Sequence, residues 1–207
     1  MLYTPSHFAV NQRGLAAALV HAHPFATLIS QAEDEPVVTH LPLLLDEDRE
    51  PWTLVGHVAR ANPHWQSWGD GRRVLAIFQG GDAYISPALY STRKAVPTWN
   101  YAAVHIHGSI EIWHDSDRKE RVLKALIDRH DPAYRAQWDE LDPEFREGMK
   151  NGIVAFAVKV ERVDAKFKLS QNRPASDRAR VLQAMAAGSE RERALAHWTG
   201  QLGSQDR

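Results

Sequence analysis

Between residues 101 and 113 the chain alternates with a period of two: Val104, Ile106, Ile110 and Ile112 stand against His105, His107, Ser109 and Glu111. Side chains of an extended strand point to opposite faces in turn, so this segment reads as a long strand with one apolar face and one polar face. Shorter apolar segments surround it. Residues 25–30 follow Pro24 and read as a first strand. Residues 36–45, rich in Val and Leu, read as a second. The acidic stretch 46–50 then turns the chain, and 52–59 returns as a hairpin partner, with Trp52, Leu54 and Val58 on one face and His57 on the other.

Residues 73–78 and 83–86 flank Gly80-Gly81-Asp82, which predicts a tight turn between two strands. Residues 153–160 form the last clear strand. Helical spacing marks 11–21, with Leu15, Leu19 and Val20 on one side, and a helix after Asp115 that carries Val122, Leu123, Leu126 and Ile127. Asn62-Pro63 opens a short turn or helix through Trp68. After Pro174 the pattern is helical, with Val181, Leu182 and Met185 clustered, and Gly188 breaks it before a second short helix through Trp198. Antiparallel strands with peripheral helices predict an α+β barrel. No G-x-G-x-x-G occurs, which argues against a classical dinucleotide fold.

The chain of 207 residues suits one domain with a helical extension; we read residues 1–172 as the domain and 173–207 as the extension. Its 25 basic and 26 acidic side chains give a formal charge of −1, so direct nucleic-acid binding starts from a weak position. The absence of cysteine excludes disulfides, thiolate catalysis and cysteine-ligated metals. Residues 1–10 lack the basic start and apolar stretch of a signal peptide, and no apolar run is long enough to span a bilayer; a cytoplasmic location is expected.

Two chemical constellations can be weighed from residues alone. His105-x-His107-x-x-x-Glu111 puts two imidazoles and a carboxylate on one strand face, a set suited to iron, manganese or zinc. The glycines and the second half of a cupin-type motif are missing, so no metal is expected. Ser86 sits in Ile-Ser-Pro and not in a G-x-S-x-G elbow, and no serine, histidine and acid form a nucleophilic set.

Six segments, in order, resemble the PaiB family of FMN-binding negative transcriptional regulators: residues 1–8 (MLYTPSHF), Thr39-His-Leu-Pro42, 56–63 (GHVARANP), Ala83-Tyr-Ile-Ser-Pro87, 96–101 (VPTWNY) and 166–173 (KFKLSQNR). The last two are highly specific in combination. The resemblance runs from the first residue to about Arg180. It implies an antiparallel split β-barrel related to pyridoxamine phosphate oxidases and flavin reductases, with a homodimer holding FMN at its interface. The family often continues to a Tyr-Gly pair where this chain has His107-Gly108.

With that resemblance, the polar residues acquire cofactor roles. Arg60 and Asn62 are placed at the FMN phosphate, since a guanidinium grips phosphate bidentately. Tyr90 and Lys94 form a second cationic cluster. Thr98, Trp99 and Asn100 offer a hydroxyl, an indole and a carboxamide to the flavin edge and ring. Lys168, Ser170, Gln171 and Asn172 close the site, in a dimer from the partner. His57 joins the cofactor set, and a haem-binding or haem-degrading relative would use it or His105 as axial ligand. A flavin-dependent oxidoreductase, with a small-molecule substrate that cannot be read, is the remaining alternative. Arg173, Arg178, Arg180, Arg191 and Arg193 tint the C-terminal helices basic, but Asp177, Glu190 and Glu192 interleave with them; contact with DNA is expected only through a partner.

Overall fold

The computed structural model describes residues 2–32, 35–48, 50–69 and 71–203. In chain order the elements are α1 (Arg13–Ala22), β1 (Phe25–Ala32), β2 (Glu35–Pro42), β3 (Leu44–Asp46), β4 (Thr53–Ala59), β5 (Arg73–Ile85), β6 (Thr98–Trp113), α2 (Ser116–His130), α3 (Tyr134–Glu140), α4 (Pro143–Asn151), β7 (Ile153–Lys168), α5 (Ala175–Ala186) and α6 (Glu190–Gly203). Short 3-10 turns lie at Ser6–Phe8, Pro63–Ser67 and Pro87–Leu89. Among the described residues the strands form a sheet in the order β2-β1-β5-β6-β7-β4-β3, and the α+β class is as the patterning predicts. The chain divides into two compact units: unit one is Met1–His23, Phe78–His105 and Val163–Arg207, and unit two is Pro24–Ile77 and Ile106–Arg162.

In unit two, β1 pairs antiparallel with β2, from Phe25 opposite Pro42 to Ala32 opposite Glu35, and β4 pairs with β7, with His57 opposite Ala155. The apolar alternation buries Leu28, Leu54, Val74, Ile106, Ile110 and Phe156. Removing such side chains from water contributes roughly 1.5–3 kcal/mol each. Trp68 meets the Phe156 ring edge-on at 4.7 Å between centroids. The other face of β4 and β7 is covered by α2, whose Val122 and Leu126 pack on Ala155 beside Leu44, Val55 and Trp113. Asp115 caps α2 by accepting the Arg118 N–H at 2.8 Å, as expected of an N-cap aspartate.

Unit one is built around Phe78, Ile85, Phe167, Val181, Met185, Leu195 and Trp198, all buried. Trp198 sits edge-on to Phe167 at 5.7 Å. Asp177, in the first turn of α5, accepts the Ser91 N–H at 3.1 Å and pairs with Arg180.

Two expectations are corrected. The apolar run 36–45 is two strands: β2 pairs with β1 and β3 with β4, and the chain changes partner at the fully buried Leu43, whose N–H donates to Pro24 O at 2.9 Å. Continuous apolar sequence cannot reveal that switch. Gly80-Gly81-Asp82 is not a turn but the interior of β5. A Cβ at Gly80 would lie 2.8 Å from Leu19 Cδ1 and 3.0 Å from Trp198 Nε1, and Gly81 has φ +97° with Arg191 O 3.1 Å from the Cβ position. These glycines admit α1 and α6 against the strand, which is the other meaning of glycine inside a strand. The strands also run further than the patterning indicates: β6 takes in Thr98-Trp-Asn100 and β7 extends to Lys168. Helices α3 and α4 went unread, although Asp142-Pro143 is an N-cap followed by proline at the first helical position.

Candidate cofactor site

In unit one the two family-like segments meet. Strand alternation turns Thr98 and Asn100 to one side of β6. Lys168, the last residue of β7, donates from Nζ to Thr98 Oγ1. The fully buried Asn100 donates from Nδ2 to Ser170 Oγ at 2.9 Å, and Ser170 Oγ lies 3.2 Å from Asn100 Oδ1, so the hydroxyl accepts and donates on one carboxamide. Ser170 is a non-glycine residue at φ +66°. A left-handed conformation costs a residue with a Cβ about 1–2 kcal/mol, and the Asn100 pair holds it there. Gln171 braces the same loop, accepting the Leu169 N–H at 2.7 Å and donating to Phe167 O. The strain and its bracing make a rigid polar corner, a feature that clusters at ligand sites.

Tyr90, Thr98, Asn100, Lys168, Asn172 and Arg173 line a cavity of about 200 Å³ there, walled on its apolar side by Phe8 and Pro97. The Arg173 guanidinium stacks on the Tyr90 ring at 4.1 Å. The Tyr90 hydroxyl is buried without a hydrogen-bond partner. Buried hydroxyls are nearly always paired, so this one fits a site that awaits a ligand.

Seven of the expected residues are thus gathered in one unit, Gln171 as a brace and Tyr90, Thr98, Asn100, Lys168, Ser170 and Asn172 on the cavity wall. Trp99 is not among them: alternation turns it to the opposite face of β6, 54% exposed, with its ring edge-on to Tyr84 at 5.9 Å. Lys94 is exposed, away from the lining, with its backbone N–H on Thr92 Oγ1 at 3.2 Å. Sequence reasoning missed Arg173 as a site residue. Its place at the end of the Lys-Leu-Ser-Gln-Asn-Arg segment was the available signal.

His57, Arg60 and Asn62 belong to unit two. His57 is held in mid-β4, its Nδ1 is buried without a partner, and burial lowers its pKa, which favours the uncharged ring. Arg60 donates from Nε to Asn151 O at 2.7 Å and from Nη2 to Ile153 O at 3.2 Å, tying the end of β4 to the start of β7. Asn62 caps the turn Pro63–Ser67 through the His64 N–H at 3.0 Å and donates to Thr39 Oγ1 at 3.1 Å. A wider, open cavity of about 900 Å³ lies beside that turn, lined by Val37, His64, Gln66, Ser67 and Arg72. Nothing in the sequence pointed to it, because its walls combine strand and turn residues far apart in the chain.

Along β6, Glu111 accepts Arg118 Nη1 at 2.7 Å and Trp113 Nε1 at 3.0 Å. Among the described residues no three His, Cys, Asp or Glu side chains gather to hold a metal ion.

Comparison with known proteins decides the family. The profile of the family described as "Putative FMN-binding domain" matches residues 2–162. The chain belongs to this FMN-binding family. It is 35% identical over 185 residues to protease synthase and sporulation protein PAI 2 of Bacillus subtilis, covering 88% of each chain, so the resemblance to PaiB holds. Among solved structures it is similar to the FAD and heme binding protein from Mycobacterium smegmatis, with TM-score 0.62 and 17% identity over 87% of this chain and 80% of that one. It is also similar to the flavocytochrome Anf3 from Azotobacter vinelandii, with TM-score 0.60 and 16% identity over 77% and 69%. These likenesses establish the split-barrel fold. The family's cofactor is FMN, and the cavity's donor set fits it: ammonium, guanidinium and hydroxyl groups suit a phosphate or the ring carbonyls, and a buried hydroxyl stands unpaired. At about 200 Å³ the cavity encloses part of an FMN molecule and not the whole.

Proposed function

We propose that this FMN-binding family member works as a homodimeric flavoprotein in the cytoplasm, with residues 1–172 as the flavin domain and 173–207 as its helical extension. The observation that carries the reading is the unit-one cavity, where Lys168 and Arg173 stand beside an unpaired, buried Tyr90 hydroxyl. Bound FMN supplies hydride and electron transfer, and the protein supplies binding, orientation and electrostatics. Lys168 and Arg173 hold negative charge. Asn100 and Ser170 engage each other, so they keep the corner rigid while Thr98 and Asn172 present donors to the ligand. The exposed Trp99 and Tyr84, 54% and 52%, offer unit one an aromatic surface that a second copy can cover.

A regulatory role through a partner or a small molecule fits the same site. Direct DNA contact is disfavoured: Arg180 pairs with Asp177 and Arg191 lies 3.5 Å from Asp82, so these arginines are already engaged with carboxylates.

His57 favours a second reading, haem. A half-buried imidazole whose unpartnered nitrogen is enclosed suits an axial ligand, and two of the similar folds are named for haem or cytochrome character.

The absorbance spectrum of the purified protein, followed by titration of the flavin-free form with FMN, tests both. Flavin bands and micromolar or tighter binding are expected. A well-folded protein that ignores FMN sinks the first reading, and a Soret band installs the second.

A further inference from the structure

We propose that the cationic end of the unit-one cavity is an oxyanion subsite that takes the phosphate or carboxylate group of a small substrate brought to the flavin. The inference rests on the flavin reading for its chemistry. Its geometry stands on other ground. Lys168 and Arg173 both line the cavity, and no carboxylate among the described residues pairs with either. Cations drawn together in a partly buried corner repel one another unless an anion joins them. The nearby Asp177 does not supply it, being 1% exposed and engaged with Arg180 and the Ser91 N–H.

The hydrogen-bond inventory points the same way. Lys168 spends one of its three N–H donors on Thr98, which leaves two. Arg173 is oriented by its stacking on Tyr90, which leaves the edge of the guanidinium for a ligand. The Tyr90 hydroxyl is 93% enclosed with its residue, which is 7% exposed, and has no partner. Asn172 adds a carboxamide at the rim. These groups have donors to spare, and the complementary ligand is rich in acceptors and negatively charged. The cavity is of the size of an anionic head group; pockets that enclose a whole drug-sized ligand run to about 300–1,000 Å³.

Two molecules can bring such a group, the substrate or FMN through its own phosphate, and the test separates them. Inorganic phosphate is titrated by calorimetry into the FMN-loaded protein and into its Lys168→Met and Tyr90→Phe variants. Riboflavin binding is measured beside FMN binding. Expected is saturable phosphate binding with FMN retained, weakened roughly tenfold by Lys168→Met and about threefold by Tyr90→Phe. Tyr90→Phe removes only an unpaired hydroxyl, so the fold survives it. Phosphate that expels FMN, with Lys168→Met weakening FMN but not riboflavin, upholds the subsite and assigns it to the cofactor, overturning the substrate source. Absence of saturable phosphate binding, or binding that neither variant changes, overturns the subsite. A protein that takes phosphate with Lys168 dependence but never takes flavin keeps the subsite and defeats only the flavin reading.

Discussion

Ser30 Oγ lies 2.8 Å from His64 Nε2, and the surrounding groups fix which atom carries the proton. Ser67 gives its only hydroxyl hydrogen to His64 O at 2.7 Å, so at 3.0 Å it must accept from Ser30. Ser30, having donated, accepts the Nε2–H of His64. The Nδ1 of that neutral ring therefore accepts from Thr39 Oγ1 at 2.7 Å, and Thr39 accepts from Asn62 Nδ2. Every donor in the series has one acceptor. The relay joins β1, β2 and the turn Pro63–Ser67 inside unit two, and it explains why Asn62 is required there whatever else it touches.

Thr39→Val keeps the shape of that side chain and deletes its hydroxyl, leaving His64 Nδ1 and Asn62 Nδ2 without partners. An unsatisfied buried polar group costs about 1–3 kcal/mol. Thermal unfolding should fall by about 2–10 °C for a domain of this size. A melting curve superimposable on the unmutated protein's would show that the relay does not hold the turn.

Acid should weaken the protein through the same ring. His64 is 1% exposed and burial lowers its pKa from the ordinary 6.5. Burial does the same to His23 and His57. Below pH 6.5 the unfolded chain binds protons that the folded chain refuses, so the stabilisation is complete above that value and drains away as pH falls towards the lowered pKa values. Protonated His64 would also offer Nδ1–H to Thr39, forcing the threonine hydroxyl to give up its acceptor. Melting temperatures measured from about pH 7.5 to 5 should fall, and His64→Gln should flatten the decline without removing the part due to His23 and His57.

At Gly108 the backbone of β7 lies close against β6. A Cβ there would overlap Lys159 O and sit 2.7 Å from Val158 Cγ1. The obstacle is backbone, which cannot swing aside as a side-chain tip does. Gly108→Ala should cost about 1–3 kcal/mol or more by overpacking. Gly14→Ala, with nothing within 4 Å of its Cβ position, is the control and should leave chemical denaturation unchanged or slightly strengthened.

Arg60→Ala should lower stability. Its Nε and Nη2 bond to Asn151 O and Ile153 O, and two exposed hydrogen bonds of this kind contribute about 1–2 kcal/mol together. The midpoint in urea should shift to lower concentration with an unchanged slope. An unchanged midpoint would mean that these two hydrogen bonds do not hold the strand ends together.

Period-two alternation made β6 readable, Asp115 announced α2, and the ordered PaiB-like segments pointed to the family before any contact was known. These are local quantities: a strand's two faces and a helix cap are written in neighbouring residues. Even so, Trp99 was grouped with Thr98 and Asn100 although alternation separates it from them once β6 is seen to begin at Thr98. Patterning also misjudged Gly80-Gly81, because a glycine kept for close approach and one kept for a turn look alike in sequence.

What the amino-acid order determined by itself is the α+β class, most of the strands, the Asp115 cap and the polar segments that come to line the unit-one cavity. Tertiary structure alone decided which of those residues meet. The pairing of Asn100 with Ser170 joins positions 70 apart in the chain, and the Ser30–His64 contact joins positions 34 apart. No local propensity encodes such distances. They follow from sheet register and from helices laid against particular glycines, where burial drives most polar atoms to find a partner far along the chain.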